Sequence, residues 1–327
     1  MTSRPIFVVG YERSGTTLLQ AMLGAHPNIA APPELHYLLR IVELRDYYGD
    51  LTDDDNLRRA VHDTVNPPLE MLAGCGFDEA VLFAAAQRAE RSYGALLTVV
   101  MDDFARRQGK PRWSEKTPGQ TARAVLALCP DAQVVHIVRD PRDVVASALQ
   151  APWSSMPARL HAENWRAFVI DNERLGSEAG PGVYLRVRYE DLSAAPDAVL
   201  REVTAFLGEP FDPGMVDDLA ARHASVAAAA TWQHGALEAV DPSRAGTWRH
   251  RLPRRARAQV VAITHRLLAT LGYPPPGLME VAGGRVLNAL ARSSRDPRGI
   301  VEGTPADRYR AVQAHLAATA ARVRPSR

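Results

Sequence analysis

Cysteine is scarce in this chain, and long apolar runs are missing from it. Only two of the 327 residues are cysteine, Cys75 and Cys129. Two cysteines at such wide spacing form neither a zinc-ligand pattern nor a disulfide framework, and we interpret both as reduced thiols. Because the sequence has no run of about 18 apolar residues, we expect no stable insertion into a membrane.

An excess of charge of either sign is also lacking. The chain has 39 Lys and Arg residues against 37 Asp and Glu residues, a net charge of +2. This balance gives no reason to expect nucleic acid as the main partner. The N-terminus lacks a secretory signal pattern, because polar Tyr11–Gly15 interrupts the short apolar run before it. We therefore expect a cytoplasmic protein.

The chain does have enough apolar residues for a core, and its strand and helix patterns alternate. Apolar runs at Ile6–Val9 and Gln133–Val138 predict buried strands, and Thr16–Ala25 predicts a helix. The pattern over Glu79–Gln108 predicts helix with a break at Gly94. Weaker patterns predict strands at 112–114 and 182–188 and helices at 120–128, 143–149 and 197–207. This alternation predicts βαβ units and a parallel sheet.

The last part of the chain differs in composition from the rest. From Gly277 onward the sequence is rich in arginine and is broken by Gly283, Gly284 and Pro297. We therefore predict one domain over residues 1–276, followed by a C-terminal helical or partly mobile extension over 277–327.

The segment Gly10–Thr17 has the spacing of a phosphate-binding loop between a strand and a helix. In such a loop, backbone N–H groups and the helix N-terminus face an anion. Nucleotide-hydrolysing versions carry a Lys where this chain has Thr16. The missing Lys argues against ordinary ATP chemistry, and Arg13 can supply the positive charge instead. The alternative is a glycine turn that only starts a helix.

A second motif begins where the predicted strand Gln133–Val138 ends. Arg139 follows the strand, and Ser147 lies eight residues later on a predicted helix. Ligands bind at the carboxyl ends of parallel strands, where an Arg and a Ser can hold a second phosphate. By itself, the motif is equally compatible with a surface salt bridge from Arg139 to Asp140 or Asp143.

Together, these segments resemble the sulfotransferases that use 3′-phosphoadenosine 5′-phosphosulfate (PAPS), and they occur in family order. Arg13–Thr17 resembles the family's 5′-phosphosulfate loop, and Arg139–Ser147 resembles its 3′-phosphate motif. Val187–Leu192 is similar to a segment whose Tyr lies near the nucleotide, and Ser243–Trp248 to one that closes over the cofactor. The resemblance implies an α/β fold with a P-loop NTPase-like parallel β-sheet flanked by helices.

The resemblance also implies roles for individual residues. The residues implied to bind PAPS are Arg13, Ser14, Gly15, Thr16, Thr17, Arg139, Ser147 and Tyr189. The motifs most resemble those of tyrosylprotein sulfotransferases and their bacterial relatives, which carry a catalytic Glu after the first helix. The matching residue is Glu34, with His36 as the other candidate base.

A third segment, Glu115–Pro118, bears on the choice of base. Small-molecule sulfotransferases have Lys-Thr-His here, with the His as base, and this chain has Pro118 at that position. This difference favours Glu34. Lys116 matches a family Lys beside the transferring group, so Lys116 and Arg13 are implied to stabilise charge during the reaction. No metal is expected, because the sequence shows no metal-ligand cluster.

The leading hypothesis is transfer of the PAPS sulfonate to an acceptor hydroxyl by in-line displacement, with Glu34 as general base. An atypical P-loop kinase and a non-catalytic nucleotide-binding protein of the same fold are the alternatives. The acceptor is left open among a small molecule, a carbohydrate, a lipid and a peptide, as is assembly into a homo-oligomer.

Overall fold

The computed structural model describes residues 4–32, 37–66, 76–118, 122–151, 154, 156–218 and 240–292. The two candidate bases, Glu34 and His36, lie outside the described residues. So do Cys75 and the part of the predicted C-terminal extension from residue 293 onward.

Five strands in the described part of the chain form one parallel sheet in the order β2-β3-β1-β4-β5. They are β1 (Ile6–Gly10), β2 (Ile29–Ala30), β3 (Arg112–Pro118), β4 (Gln133–Val138) and β5 (Tyr184–Arg188). The predicted parallel α/β sheet is therefore confirmed.

Helices follow or precede every strand. The first six are α1 (Thr16–Ala25), α2 (Tyr37–Tyr48), α3 (Asp54–Val65), α4 (Glu79–Arg88), α5 (Tyr93–Arg107) and α6 (Ala122–Leu128). The middle five are α7 (Pro141–Ala148), α8 (Ala158–Ala179), α9 (Tyr189–Ala194), α10 (Pro196–Leu207) and α11 (Gly214–Asp217). A 3₁₀ turn at Pro242–Arg244 precedes α12 (Trp248–Arg251), α13 (Arg254–Thr270) and α14 (Leu278–Arg292).

The alternation of side chains along β1 places helices on both faces of the sheet. Ile6 and Val8 pack in a core with residues of α1 and α10. Phe7 and Val9 pack in a second core with residues of α2 to α6 and α8. Successive strand residues point to opposite faces, so the fully buried strand β1 is covered on both sides.

The predicted break in the helical pattern is present, but it lies at residues 89–92 and not at Gly94. The helix α4 ends at Arg88 and α5 begins at Tyr93, where the Ser92 hydroxyl accepts a hydrogen bond of 3.2 Å from the Ala95 N–H. Gly94 lies in the first turn of α5, and a Cβ there would lie 1.9 Å from the carbonyl oxygen of Leu128. The glycine therefore permits close packing between α5 and the end of α6.

The order of the strands fixes the position of the site. Strand β1 pairs with β3 on one side and β4 on the other. The chain leaves β1 toward the β2 edge and leaves β4 toward the β5 edge. This reversal opens a crevice at the carboxyl ends of β1 and β4, where ligands of open α/β sheets bind.

The beginning of the predicted C-terminal extension is helical. The helix α14 packs against α13 so closely that a Cβ on Gly284 would lie 1.8 Å from the Ala258 carbonyl oxygen. Arg257 and Glu280 join the two helices by an ion pair of 2.5 Å. The boundary at residue 277 stays a prediction. No helix among the described residues has both the length and the apolar character needed to span a bilayer.

Candidate active site

The loop between β1 and α1 has the backbone geometry of an anion cradle. Arg13 has a φ of 66° and Gly15 a φ of 98°, both left-handed. Arg13 is the one non-glycine residue with positive φ in the described segments, which is a strained conformation. The helix α1 starts after Gly15 without a side-chain cap. Its first N–H groups are therefore available to an anion.

Gly15 is required by its surroundings as well as by its backbone angle. A Cβ at this position would lie 2.4 Å from Cδ2 of Tyr189. The Tyr189 ring at the start of α9 thus packs directly against the loop. The predicted loop residue Gly15 and the predicted nucleotide neighbour Tyr189 are in contact range.

The two predicted anion motifs meet across the crevice. The half-buried Arg13 donates from Nε to the Ser147 hydroxyl at 3.0 Å. Arg139 donates from Nη1 to the carbonyl oxygen of Arg13 at 3.1 Å. The first motif, at the end of β1, is therefore hydrogen-bonded to both ends of the second, which follows β4.

Arg139 is held by two further groups. Its Nη2 donates to the Arg244 carbonyl at 2.8 Å, and its guanidinium carbon lies 4.2 Å from the centre of the Tyr189 ring. In the described part of the molecule it forms no salt bridge with Asp140 or Asp143. Asp140 instead pairs with Arg142 at 2.6 Å. The surface salt bridge weighed from the sequence is therefore not formed.

Lys116 reaches the loop from the other neighbouring strand. It lies on β3 opposite Val8, is 3% exposed, and donates from Nζ to the Thr17 hydroxyl at 2.8 Å. The crevice is thus bordered by cationic side chains from three segments, the loop, β3 and the end of β4. One buried cation, Lys116, and two half-buried ones, Arg13 and Arg139, lie beside backbone N–H donors. This arrangement favours an anionic ligand.

Asp143 is a site residue that sequence reasoning missed. Its carboxylate is 1% exposed and accepts hydrogen bonds from the backbone N–H groups of Gly246 at 2.6 Å and Trp248 at 2.8 Å. Thr247 donates its hydroxyl to the same carboxylate at 2.9 Å. This anchors the Gly-Thr-Trp segment to α7, the helix that carries Ser147. Nothing in the spacing of the sequence indicates partners so far along the chain.

Glu190 is a second residue that was missed. Its carboxylate accepts hydrogen bonds from the backbone N–H of Asp140 at 3.0 Å and from the Tyr273 hydroxyl at 3.1 Å. Burial raises the pKa of Glu190. Glu190 thereby fixes the turn that follows Arg139. The feature of the sequence that could have indicated Glu190 is its position directly after Tyr189.

No group of His, Cys, Asp and Glu side chains in the described residues is arranged to hold a metal ion.

Comparisons with known proteins agree with this geometry. A sequence profile of the sulfotransferase family matches residues 5–213. Protein-tyrosine sulfotransferase A of Caenorhabditis elegans is 27% identical over 219 residues, 64% of this chain and 51% of that protein. An uncharacterized protein of Aquifex aeolicus (strain VF5) is 26% identical over 227 residues, 66% of this chain and 27% of that protein. The chain therefore spans about a quarter to a half of the lengths of these relatives.

A solved structure shares the fold. The sulfotransferase domain from the Synechococcus PCC 7002 olefin synthase superposes with a TM-score of 0.57 at 24% identity, covering 84% of this chain and 97% of that domain. The fold is the P-loop NTPase-like parallel sheet flanked by helices. Because the family profile matches well over half of the 327 residues, the chain belongs to the sulfotransferase family.

Proposed function

We propose that this protein transfers the sulfonate group of PAPS to an acceptor hydroxyl. The observation that carries the proposal is the hydrogen bond of 3.1 Å from Arg139 to the carbonyl of Arg13. It joins the two anion-binding motifs at one crevice. A nucleotide with anionic groups at both its 3′ and 5′ positions needs two such motifs side by side.

The residues of the crevice fit this ligand. The 5′-phosphosulfate would lie on the loop, with the backbone N–H groups of Thr16 and Thr17 and the side chain of Arg13 as donors. The 3′-phosphate would lie between Arg139 and Ser147. The Ser14 hydroxyl and Arg139 Nε are buried with no hydrogen-bond partner among the described atoms. Buried polar atoms without partners favour a ligand that completes their hydrogen bonds.

The chemistry needs charge stabilisation and a base. The acceptor oxygen forms a bond to sulfur as the bond from sulfur to the 5′-phosphate oxygen breaks, and the acceptor proton passes to the base. Arg13 and Lys116 would stabilise charge on the sulfonate and on the departing phosphate. Glu34 is the proposed base, because it matches the catalytic Glu of the family. PAPS supplies the activated sulfonate, and the proposal requires no metal.

The acceptor is proposed only as a hydroxyl-bearing molecule. The relative from C. elegans is named as a protein-tyrosine sulfotransferase, which supports a phenolic hydroxyl as one class. We propose that residues 36–78 and 150–174 shape the acceptor pocket, since both lie in the chain beside segments that border the crevice.

Labelled PAPS and a cell extract test this function. We expect transfer of labelled sulfonate to a product that mass spectrometry identifies, with the same rate in magnesium and in EDTA. Labelled ATP should give no product beyond those formed in the same extract without the protein. Magnesium-dependent transfer from ATP would support the kinase alternative, and tight nucleotide binding with no turnover on any acceptor would support a non-catalytic protein.

A further inference from the structure

A fully buried histidine on α8 contacts the phosphate-binding loop without belonging to it. His161 is 0% exposed. Its Nδ1 lies 3.1 Å from the Tyr11 hydroxyl and 3.1 Å from Oε1 of Glu12. Its Nε2 lies 2.9 Å from the Ser154 hydroxyl. Both ring nitrogens are therefore engaged, one by the loop and one by the segment that follows α7.

The three partners surround both ring nitrogens. The Tyr11 hydroxyl shares a hydrogen bond with Nδ1 and the Ser154 hydroxyl shares one with Nε2. The Glu12 carboxylate lies within ion-pair distance of Nδ1. A histidine bonded in this way at both nitrogens cannot rotate without breaking contacts on each side.

The contact between Glu12 and His161 matters because Glu12 lies in the loop that is proposed to bind an anion. Glu12 directly precedes Arg13 in a loop whose proposed ligand is an anion. A carboxylate released toward that ligand would repel it by an interaction that is not screened as it is in bulk water. In the structure, this carboxylate is held against His161 instead.

Tyr11 is the second loop residue that contacts the His161 ring. Its side chain is 8% exposed, and its ring packs edge-on against His161 and Phe168. The two residues just before the left-handed Arg13 thus both contact one histidine. A strained conformation persists only where its surroundings determine it.

We propose that His161 is a positioning residue of the phosphate-binding loop, which holds the Glu12 carboxylate away from the 5′ anion site. This inference rests on the proposed function, in which the loop holds the 5′ end of the nucleotide. It assigns His161 no contact with the reacting atoms. Its effect therefore falls on ligands that carry a 5′-phosphate and leaves other ligands unaffected.

Comparing the binding of two nucleotides distinguishes the positioning role of His161 from a general loss of structure. Adenosine 3′,5′-bisphosphate (PAP) carries both phosphates, whereas adenosine 3′-phosphate lacks the one at the loop. In His161→Ala we expect affinity for PAP, measured by isothermal titration, to fall about tenfold. Affinity for adenosine 3′-phosphate should stay within about twofold. His161→Asn keeps an amide N–H near the position of Nδ1 and should retain most of the PAP affinity.

A second substitution tests the role of the carboxylate directly. If the released carboxylate of Glu12 causes the loss, Glu12→Gln in the His161→Ala background should restore PAP affinity toward that of the wild type. Trp165→Phe is the matched control, because Trp165 is 0% exposed on the same helix. It should lower the melting temperature without changing the ratio of the two affinities. Should His161→Ala not fold, His161→Gln, which retains an amide toward Ser154 only, takes its place.

The outcomes are distinct. An unchanged ratio of affinities in His161→Ala or His161→Gln, or a double variant that binds PAP no better than His161→Ala, would overturn the positioning role. A wild-type protein that binds PAP no more tightly than adenosine 3′-phosphate would instead reject the proposed function itself.

Discussion

The buried carboxylate of Asp143 accepts a hydrogen bond of 2.8 Å from the backbone N–H of Trp248, 105 residues later in the chain. Asp143 lies on α7, one turn before Ser147. The Gly-Thr-Trp segment is thus attached to the helix proposed to bind the 3′-phosphate. The position of this segment and the geometry of the proposed 3′-phosphate site are thus linked through Asp143.

Replacing this carboxylate should loosen the segment. In Asp143→Asn, an amide N–H₂ would face backbone N–H donors, leaving at least one of them unsatisfied. We expect the free energy of unfolding to fall by about 1–3 kcal/mol and PAP to bind about tenfold more weakly. Chemical denaturation and isothermal titration measure the two effects. Asp217→Asn, at an exposed position, should change neither, and normal PAP affinity in Asp143→Asn would disprove the link.

The loop glycine allows a test of packing against Tyr189. Gly15 and Gly208 both have left-handed backbone angles, but of the two only Gly15 has a side chain within 4 Å of the position of a Cβ. Gly208→Ala should therefore cost only the strain of a left-handed alanine, about 1 kcal/mol. Gly15→Ala should cost at least about 1 kcal/mol more and abolish measurable PAP binding. Equal losses of stability in the two variants would show that Tyr189 does not constrain the loop.

The assignment of the base can be tested by kinetics. Glu34→Gln should lower kcat by about 10²- to 10⁴-fold while leaving PAP affinity unchanged, because the base acts on the acceptor proton. His36→Gln is the comparison, and it should keep kcat within about threefold. If His36→Gln lost turnover and Glu34→Gln kept it, the two roles would be reversed.

A buried histidine outside the site should make stability depend on pH. Burial, with a contribution from Arg186, lowers the pKa of His136 from 6.5 to about 3. The unfolded chain therefore binds a proton below about pH 6.5 that the folded protein does not bind, and folding is destabilised as the pH falls. From pH 7 to pH 5 this residue should reduce the free energy of unfolding by about 2 kcal/mol.

His136→Gln isolates this effect. Urea denaturation at several pH values should show a loss between pH 7 and pH 5 that is smaller in the variant by about the same 2 kcal/mol. An identical pH dependence in the two proteins would mean that His136 does not account for it.

Local sequence patterns predicted helices and strands correctly where the residues that determine the element are neighbours in the chain. The helix Thr16–Ala25 and the strand Gln133–Val138 are confirmed at the predicted residues. Gly94 misled because a glycine in a helical pattern signals either a break or a close approach, and only the packing against Leu128 decides which.

The candidate site was predictable only in part, for a similar reason. The loop and the Arg139 motif each have a local spacing, and the parallel sheet brings their ends to one crevice. The contacts of Asp143 with Gly246 and of His161 with Glu12 join segments that are distant in the chain. The spacing of motifs along the sequence does not indicate such contacts. The roles of Glu34 and Lys116 stay predictions from the resemblance.

One nucleotide is proposed to bridge the loop and the Arg139 motif. Titration of the wild type, Arg13→Ala and Arg139→Ala with PAP in EDTA measures whether it does, with 5′-AMP and adenosine 3′-phosphate as single-phosphate ligands. We expect the wild type to bind PAP more tightly than either single-phosphate nucleotide and each variant to lose PAP binding. A wild-type protein that does not bind PAP, or binds it no better than the single-phosphate nucleotides, would rule out this bridging.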